Sequence, residues 1–574
     1  MGRRHGPEGA FTFDLVPDDG AEAADSAAGA PHADLRAPSP ERSSAGPDGA
    51  ALADRGDAPA PQPAPFEAVR GRWRQVPRRT RLAALVVAAA LAGTVVVVDG
   101  ALDRGRTEEL RTAAGGVVDL SSPPVETWRI EDRAEGDVML AVGLVGVTGD
   151  VAAVKRRDEL VGVDLLTGRE RWAVDLLDAR ASCGPGLTFW NGVAEVTPTT
   201  QVVCVGTASS GEQVATVVEP DGTVLARRTV DEDLDLAVPG PDGSLLTASW
   251  VGDPQDVDVS LRGDPLTDLE VLGEIDDGYD LEVRLVDALT GAQRWTRRLP
   301  FGEVVDETRC VRWTTGGRNA ELDRAGAVDH VVAGRLLGVA GCGILAYLTP
   351  EGDVLDLGAL EGSEEEVVRR VQPLVDGGFA VSAGLWGRTS WEYQVLDAQG
   401  VFRFTVAGRL LDPWATDGRP SDRLLVAVDG RTVALDAAGE EVWRSDVEAE
   451  ELLARAGQVA VVLDDQDRLV GLDLETGDLL WVRDGVVDVT GTGREEARSG
   501  ELRSVFTDGT VVALAVPRYD DTQVVSQWRA VDAATGEELW SADLPEEGWG
   551  VDLAVDGHLL RWWPRGLTGF TTSS

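Results

Sequence analysis

The stretch Val163-Asp164-Leu-Leu-Thr-Gly168-Arg-Glu-Arg-Trp172 decides the fold of this 574-residue chain, because its pattern returns repeatedly. An apolar run ends at an aspartate, two or three residues lead to a glycine, and an aromatic residue follows four positions later. Full copies contain Asp287, Gly291 and Trp295; Asp473, Gly477 and Trp481; and Asp532, Gly536 and Trp540. Shorter copies contain Asp436, Gly439 and Trp443; and Asp397, Gly400 and Phe404, and degenerate copies are Glu219–Gly222 and Thr349–Gly352.

The spacing within each copy predicts a β-hairpin. A strand that ends at the aspartate, followed by a short loop and a glycine, fits a type I turn whose last residue is left-handed. Glycine adopts the positive φ without a steric penalty. The aspartate carboxylate can accept a backbone N–H inside the turn. The second strand then presents the aromatic residue, which we expect to pack between neighbouring sheets.

The spacing between copies predicts the architecture. The eight turn glycines lie between 38 and 69 residues apart, and the shortest intervals match one four-stranded propeller blade of about 40–45 residues. Longer intervals would hold enlarged loops. We therefore predict an all-β fold, an eight-bladed β-propeller of four-stranded antiparallel blades, with a range of seven to nine. A β-sandwich with repeated hairpins is the alternative.

At these residues the sequence resembles the PQQ-like (quinoprotein-type) β-propeller repeat family, whose repeat ends in a similar Asp-x-x-Thr-Gly-x-x-x-Trp signature. The resemblance covers about residues 125–574 and includes a WD40-like arrangement of blades. It implies that strands from both termini complete one blade. Thr127–Arg129 would supply a lone outer strand, and Trp549–Asp556 and His558–Trp563 would supply inner strands.

The resemblance also raises the question of catalysis. Quinoprotein dehydrogenases of this fold bind PQQ and Ca²⁺ and carry a disulfide of adjacent cysteines. This chain has no Cys-Cys pair, and no acidic residue can be assigned to those roles by spacing. We expect no catalytic, cofactor-binding or metal-binding residue, and therefore a binding or scaffolding module. A PQQ-dependent oxidoreductase is the alternative.

The N-terminal part predicts membrane anchoring. Residues 1–81 are rich in Ala, Pro, Gly and Asp, and are expected to form a disordered cytoplasmic tail. Residues 82–98 are uncharged and apolar, long enough to span about 25 Å as a helix. Arginines precede this segment and aspartates follow it, which predicts a signal anchor with residues 99–124 as an extracytoplasmic linker. A cleaved signal peptide and a buried core helix are the alternatives.

The net charge of the chain limits the class of partner that it can bind. The chain carries a formal charge of -46, of which -45 lies beyond residue 81. Such acidity argues against nucleic acid, whose phosphates would be repelled. Besides the membrane, we expect an envelope protein or a cell-wall component as partner. An envelope sensor that signals to the cytoplasmic tail is a further alternative.

Four cysteines lie beyond the predicted anchor, in a compartment that permits disulfides. We favour Cys183–Cys204 and Cys310–Cys342, because each pair then falls within one blade; four buried thiols are the alternative. The acidic stretches Asp253–Glu282 and Asp464–Asp467 could offer oxygen ligands to Ca²⁺, but they lack the regular spacing of a calcium loop and are expected to be solvated.

Four tryptophans outside the repeat pattern are candidates for a binding face, because aromatic residues are enriched at recognition surfaces. They are Trp190, Trp250, Trp386 and Trp563.

Overall fold

The structure is a computed structural model, and it shows an all-β chain. The residues described are 105–131, 142–190, 193–231, 233–262, 270–304, 306–314, 319–357, 368–384, 392–485, 502–520, 523–544, 550–563 and 566–572. Within these ranges no helix is long and apolar enough to span a bilayer. The predicted tail and anchor, residues 1–98, lie outside the described residues.

The strands form nine sheets of three to five strands within the described ranges, and we number eight of them in chain order. Strand β1 (Pro124–Glu131) belongs to the ninth, the closing sheet. Sheet 1 holds β2 (Val142–Thr148), β3 (Val151–Arg156), β4 (Glu159–Asp164) and β5 (Glu170–Asp175). Sheet 2 holds β6 (Ser182–Gly184), β9 (Val202–Thr207), β10 (Gln213–Val218) and β11 (Val224–Thr229), with a separate hairpin of β7 (Leu187–Trp190) and β8 (Val193–Val196) between its first two strands.

The next three sheets include the largest insertions. Sheet 3 holds β12 (Leu236–Pro239), β13 (Ser244–Val251), β16 (Asp280–Asp287) and β17 (Gln293–Leu299), with the hairpin of β14 (Ser260–Arg262) and β15 (Glu270–Leu272) inserted. A 3-10 helix, η1 (Glu307–Cys310), and the hairpin of β18 (Val311–Thr314) and β19 (Asn319–Leu322) follow. Sheet 4 holds β20 (Asp329–Ala333), β21 (Leu336–Gly341) and β22 (Ile344–Leu348); sheet 5 holds β23 (Val368–Pro373), β24 (Phe379–Gly384), β25 (Glu392–Leu396) and β26 (Phe402–Ala407).

The remaining sheets complete the chain. Sheet 6 holds β27 (Arg409–Leu411), β29 (Leu424–Val428), β30 (Arg431–Leu435) and β31 (Glu441–Ser445). Sheet 7 holds β28 (Ala415–Thr416), β32 (Ala449–Ala456), β33 (Val459–Asp464), β34 (Leu469–Asp473) and β35 (Leu479–Arg483). Sheet 8 holds β36 (Ser504–Thr507), β37 (Val511–Asp520), β38 (Gln523–Asp532) and β39 (Glu538–Leu544); β40 (Val551–Val555), β41 (His558–Trp563) and β42 (Gly566–Thr572) end the chain.

Each of the eight predicted turns follows the third strand of one numbered sheet, where the strands of sheet 7 are counted from β32 and its additional parallel strand β28 is left out. In seven sheets the turn leads into the fourth strand. In sheet 4 the turn at Thr349–Gly352 leads only to an isolated antiparallel bridge between Leu348 and Val354. The sequence pattern therefore marks one position in every sheet except the closing one.

The closing sheet joins the two ends of the chain, as the repeat resemblance implies. Strand β1 pairs antiparallel with β42, in the order β1-β42-β41-β40, and Trp128 lies opposite Gly569. This sheet has no turn of its own between third and fourth strands, because those two strands come from opposite termini. It is the ninth sheet beside the eight that the turns predict.

The core lies between successive sheets and is built from Val, Leu and Ala. One cluster joins sheets 7 and 8 and includes Leu453, Val461 and Leu514, all fully buried. Another joins sheets 3 and 4 and includes Leu246, Val283 and Leu337. Strands that are apolar on both faces, such as β33 with all six residues buried, fit a sheet that is covered on both sides.

Alternating strand direction gives every sheet two distinct ends. We define the turn end as the end that carries the connections between first and second strands and between third and fourth strands. The connections between second and third strands, and those that lead to the next sheet, lie at the opposite end, which we name the loop end.

The segment that precedes β1 packs on the turn end. Residues 105–112 form a helix, and the following residues make backbone hydrogen bonds to first-to-second strand connections. Val117 N donates to Thr507 O at 2.9 Å, and Val118 N donates to Gly557 O at 3.0 Å. The side chains of Leu110, Val117 and Leu120 are buried. We name residues 105–120 the leading segment; it is bound to the sheets rather than extended away from them.

Candidate functional site

The repeated aspartate organises each turn. In sheet 1, Asp164 Oδ1 accepts the backbone N–H and the hydroxyl of Thr167, both at 2.8 Å. The full copies at Asp287, Asp473 and Asp532 have the same pair of bonds to their threonines. A hydrogen bond from Arg171, together with those from Thr167, lowers the pKa of Asp164 to about 2. The carboxylate is thus held ionised as a structural acceptor.

The turn glycine lies beneath an aromatic ring from the preceding sheet. Gly168 has φ 64°, and a Cβ there would lie 2.4 Å from the ring of Trp128. Gly477 has φ 74°, and its Cβ would lie 2.4 Å from the ring of Trp443. Glycine is therefore required at these positions for two reasons: the backbone has a positive φ, and the ring leaves no room for a Cβ.

The tryptophan of each repeat also donates a hydrogen bond to the next sheet. The indole N–H reaches the carbonyl of the second turn residue, at distances between 2.7 and 2.9 Å. The donor and acceptor pairs are Trp128 to Leu165, Trp172 to Pro220, Trp295 to Pro350, Trp443 to Leu474, and Trp481 to Ala533. The motif tryptophans are therefore interlocks between sheets and not parts of a binding face.

Other residues occupy this position where the motif is incomplete. The Arg228 guanidinium lies against Gly291, Leu355 lies against Gly400, and Phe404 lies against Gly439. At the closing sheet, which has no turn, Trp540 donates to Leu120 O of the leading segment at 2.8 Å. The leading segment thus supplies the acceptor that the missing turn would have supplied.

A cavity of about 350 Å³ lies between sheet 8 and the closing sheet. Trp563, one of the predicted face residues, lines it and is only 8% exposed. The Arg129 guanidinium lies 5.6 Å from the centre of the Trp563 ring and pairs with Glu126 at 2.6 Å. Arg561 pairs with the buried Asp552 at 2.7 Å. Both lining cations are therefore already engaged by carboxylates.

Two disulfides are present, with the pairing that the sequence favoured. Cys183 on β6 and Cys204 on β9 are direct cross-strand partners in sheet 2, with an S–S distance of 2.00 Å. Cys310 and Cys342 are 2.07 Å apart at sulfur. The second pair was expected to fall within one blade, but Cys310 lies in the connection between sheets 3 and 4 and not within a sheet. That bond attaches the connection to the turn between β21 and β22.

This bond belongs to a compact unit at the loop end, which we name the stapled lobe and define as the described residues 252–262, 270–279, 300–304, 306–314 and 319–328. Its core is formed by Ile275, Cys310 and Cys342, with partly buried Val259, Val271, Phe301, Val304 and Leu322 around them. The two insertions are joined by Arg324, which donates to the carbonyls of Gln255 at 2.7 Å and Asp277 at 2.8 Å.

Trp250 holds this lobe and does not line an open face. Its indole N–H donates to Gly326 O at 2.9 Å, and its ring packs on Gly341. The sequence missed a different residue, Trp313 on β18. It is 43% exposed and is the only tryptophan among the described side chains in the exposed class. No repeat or spacing signals it, because it lies in an insertion.

The remaining residues that the sequence suggested as binding or metal-ligating candidates do not come together in a site within the described residues. Trp190 ends β7, and its side chain, like all of Trp386, lies outside what the structure describes. Burial lowers the pKa of His330 and of His558. In the acidic stretch after β13, the Asp277 carboxylate accepts Gln255 N at 2.6 Å. Across the described ranges, no group of three or more His, Cys, Asp or Glu side chains could hold a metal ion.

Comparison with known proteins gives one family match. Residues 279–517 match the family model described as outer membrane protein assembly factor BamB. No curated protein sequence matches the chain.

Similar solved structures include BamB from Moraxella catarrhalis, with 11% identity and a TM-score of 0.32 over 78% of this chain and 100% of that one. A quinohemoprotein alcohol dehydrogenase from Comamonas testosteroni has 12% identity and a TM-score of 0.30, over 78% of this chain and 76% of that one. The WD40 domain of SCAP from fission yeast has 10% identity and a TM-score of 0.29, over 79% and 99%. The family match over residues 279–517 confirms the resemblance to the PQQ-like β-propeller repeat family that the eight turns predict.

Proposed function

We propose that this protein is a membrane-anchored, extracytoplasmic β-propeller that binds or scaffolds partners at the cell envelope and catalyses no reaction. The proposal rests on the observation that the repeated residues stabilise the fold, whereas residues outside the repeat form an additional surface. The repeated Asp, Gly and Trp residues serve the turns and the contacts between sheets. The residues that differ from the repeat, above all the stapled lobe, form an additional surface at the loop end.

We propose further that the nine sheets are blades around one axis. Inner strands of successive sheets contact one another, among them β32 with β36 and β36 with β40. Eight blades would carry the repeated turn, and the closing sheet would join first and last. This count lies at the upper limit of the predicted range of seven to nine.

The leading segment supports an orientation relative to the membrane. Its helix begins at residue 105, and six residues separate it from Val98, where the predicted span ends. Six residues reach at most about 20 Å. The turn end, on which the segment packs, would therefore face the bilayer, and the loop end with the stapled lobe would face away. Two disulfides are consistent with an oxidising compartment.

Location and binding can be tested separately. A C-terminal reporter that is active only outside the cytoplasm should be active, and activity of a reporter restricted to the cytoplasm would reject the topology. Cross-linking in intact cells with the full chain as bait should enrich an envelope protein or cell-wall component over a sample without cross-linker. Failure to enrich either kind of component would count against a scaffolding role.

The alternative function is quinone-dependent oxidation. Full-length protein would then bind PQQ in the presence of Ca²⁺ and reduce a dye with an alcohol or a sugar. Absence of binding at millimolar Ca²⁺ would reject this alternative. A sensor function would require the N-terminal tail, so a deletion of residues 1–70 without phenotype would count against it.

A further inference from the structure

The stapled lobe is a built surface and not a loose loop. The disulfide between Cys310 and Cys342 ties it to sheet 4, and the indole of Trp250 ties it to sheet 3. Phe301 N donates to Asp280 Oδ1 at 2.9 Å, and Gly302 N donates to Gly343 O at 2.9 Å. A surface fixed in this way loses little conformational entropy when it binds a partner.

The lobe displays an apolar anchor. Trp313 leaves 43% of its surface exposed on the β18–β19 hairpin, whereas Val311 on the same side of the strand is buried. Cross-strand pairs hold the hairpin, since Arg312 lies 3.3 Å from Glu321 and 3.4 Å from Asp323. A large aromatic side chain on a rigid hairpin is typical of residues that dominate binding energy.

The surroundings of this anchor are acidic. The described residues of the first insertion include seven acidic residues and one basic residue, and those of the second include five acidic and three basic residues. The resulting charge of -8 in 45 described residues is about twice as dense as the -45 beyond residue 81. Asp253, Asp256 and Asp258 are exposed on the first insertion, and its strand β14 contacts β19 of the Trp313 hairpin.

We propose that the stapled lobe is a docking surface for a basic protein segment, in which an apolar or cationic side chain packs on Trp313 and neighbouring lysines or arginines face the acidic insertion. The inference rests on the proposed binding function and adds its face and its partner chemistry. Charge complementarity decides the occupant: a cation is attracted to this surface and to an aromatic ring, whereas an acidic segment is repelled.

The test uses full-length protein in detergent micelles and fluorescence anisotropy of a labelled lysine–leucine peptide, beside a glutamate–leucine peptide and a neutral chitin oligosaccharide. We expect the lysine peptide alone to bind, and salt to weaken it. Trp313→Ser should weaken binding about tenfold. The matched control is Phe402→Ser, because Phe402 is 48% exposed beside the turn of sheet 5, and it should have no effect.

The same anisotropy measurement tests whether the acidic residues of the first insertion attract the peptide. Asp256→Asn with Asp258→Asn should weaken the lysine peptide several-fold, while Glu537→Gln with Glu538→Gln, an exposed acidic pair at the turn end, should not. Equal effects of both pairs would show non-specific attraction and overturn the proposal. So would equal binding of both peptides, no binding of the lysine peptide, or oligosaccharide binding that Trp313→Ser abolishes. If cells yield an envelope partner whose capture is insensitive to Trp313→Ser, the scaffolding function stands and this inference fails.

Discussion

The indole N–H of Trp128 donates a 2.9 Å hydrogen bond to the carbonyl oxygen of Leu165, and so joins the closing sheet to sheet 1. The same ring covers Gly168, which stands in the turn that contains Leu165. One side chain from the N-terminal strand therefore contributes both a hydrogen bond and a packing contact to the next sheet. The bond repeats between other pairs of sheets, which makes the tryptophans a shared source of stability.

Replacement of an interlocking tryptophan should destabilise the protein. Trp128→Ala removes a buried ring and leaves Leu165 O without its donor, and truncations of this kind cost about 3–5 kcal/mol. Thermal unfolding of the variant should occur at a clearly lower temperature than that of the wild type. Trp313→Ala, at the exposed tryptophan, is the control and should unfold with the wild type. Equal midpoints for Trp128→Ala and wild type would contradict the interlock.

The turn glycines should not tolerate alanine. Gly477→Ala places a Cβ 2.4 Å from the Trp443 ring at a φ of 74°. A left-handed backbone conformation costs an L-residue roughly 1–2 kcal/mol, and overpacking typically costs about 1–3 kcal/mol more. We therefore expect the variant to lose stability by an amount of this order. Gly143→Ala in β2 is the matched control, since nothing lies within 4 Å of its Cβ position. Denaturant midpoints should fall for the first variant alone.

Thiol counting tests the disulfides. Full-length protein, denatured without reductant, should show no reactive thiol, and four reactive thiols would reject both bonds. The bonds close loops of 21 and 32 residues, and chain-entropy estimates for such loops are about 3–4 kcal/mol each. Cys310→Ser with Cys342→Ser should make the stapled lobe sensitive to protease while the sheets stay intact; cleavage that spreads through all sheets would contradict this separation.

Stability should depend on pH through Asp412, which follows β27. Burial raises its pKa to about 7, although Val375 N donates to it and the Arg455 guanidinium lies nearby. An unfolded aspartate titrates near about 3.9. The folded protein therefore holds a proton that the unfolded chain releases, and this group makes stability fall as pH rises from about 4 to about 7, with no further change above that.

Asp412→Asn should remove this contribution. As the pH rises from 5 to 8, the stability of the variant relative to wild type should increase, by an amount on the order of a few kcal/mol at most. Thermal melts of both proteins at the two pH values give the difference. A wild-type-to-variant difference that is the same at both pH values would show that Asp412 does not titrate in this window.

Sequence periodicity predicts the part of the structure that repeats. The all-β fold and the position of each turn follow from a pattern that needs the same residues at the same spacing, and the sheet shared by β1 and β42 was implied by the family resemblance. Asp164 and Gly168 are dictated by backbone hydrogen bonding and by positive φ, which are local demands. Trp172 is dictated by a contact with the next sheet that recurs between other pairs of sheets.

The stapled lobe could not be predicted in the same way. Its packing depends on contacts between two insertions, such as Arg324 with the Gln255 carbonyl, which no repeat encodes. For the same reason Trp250 was expected at a binding face, whereas Gly326 and Gly341 make it a packing residue. The attachment of the leading segment to Thr507 and Gly557 is likewise a long-range event.

The pairing of β1 with β42 also has a consequence for the order of events during synthesis. The N-terminal strand emerges first, and its partner comprises the last strand residues, Gly566–Thr572. Until Gly566–Thr572 leave the ribosome, Trp128 has no Gly569 to cover, and strand edges that later pair stay open to aggregation. The closing sheet can therefore form only after β42 has been synthesised, and folding is expected to finish after translation of that strand.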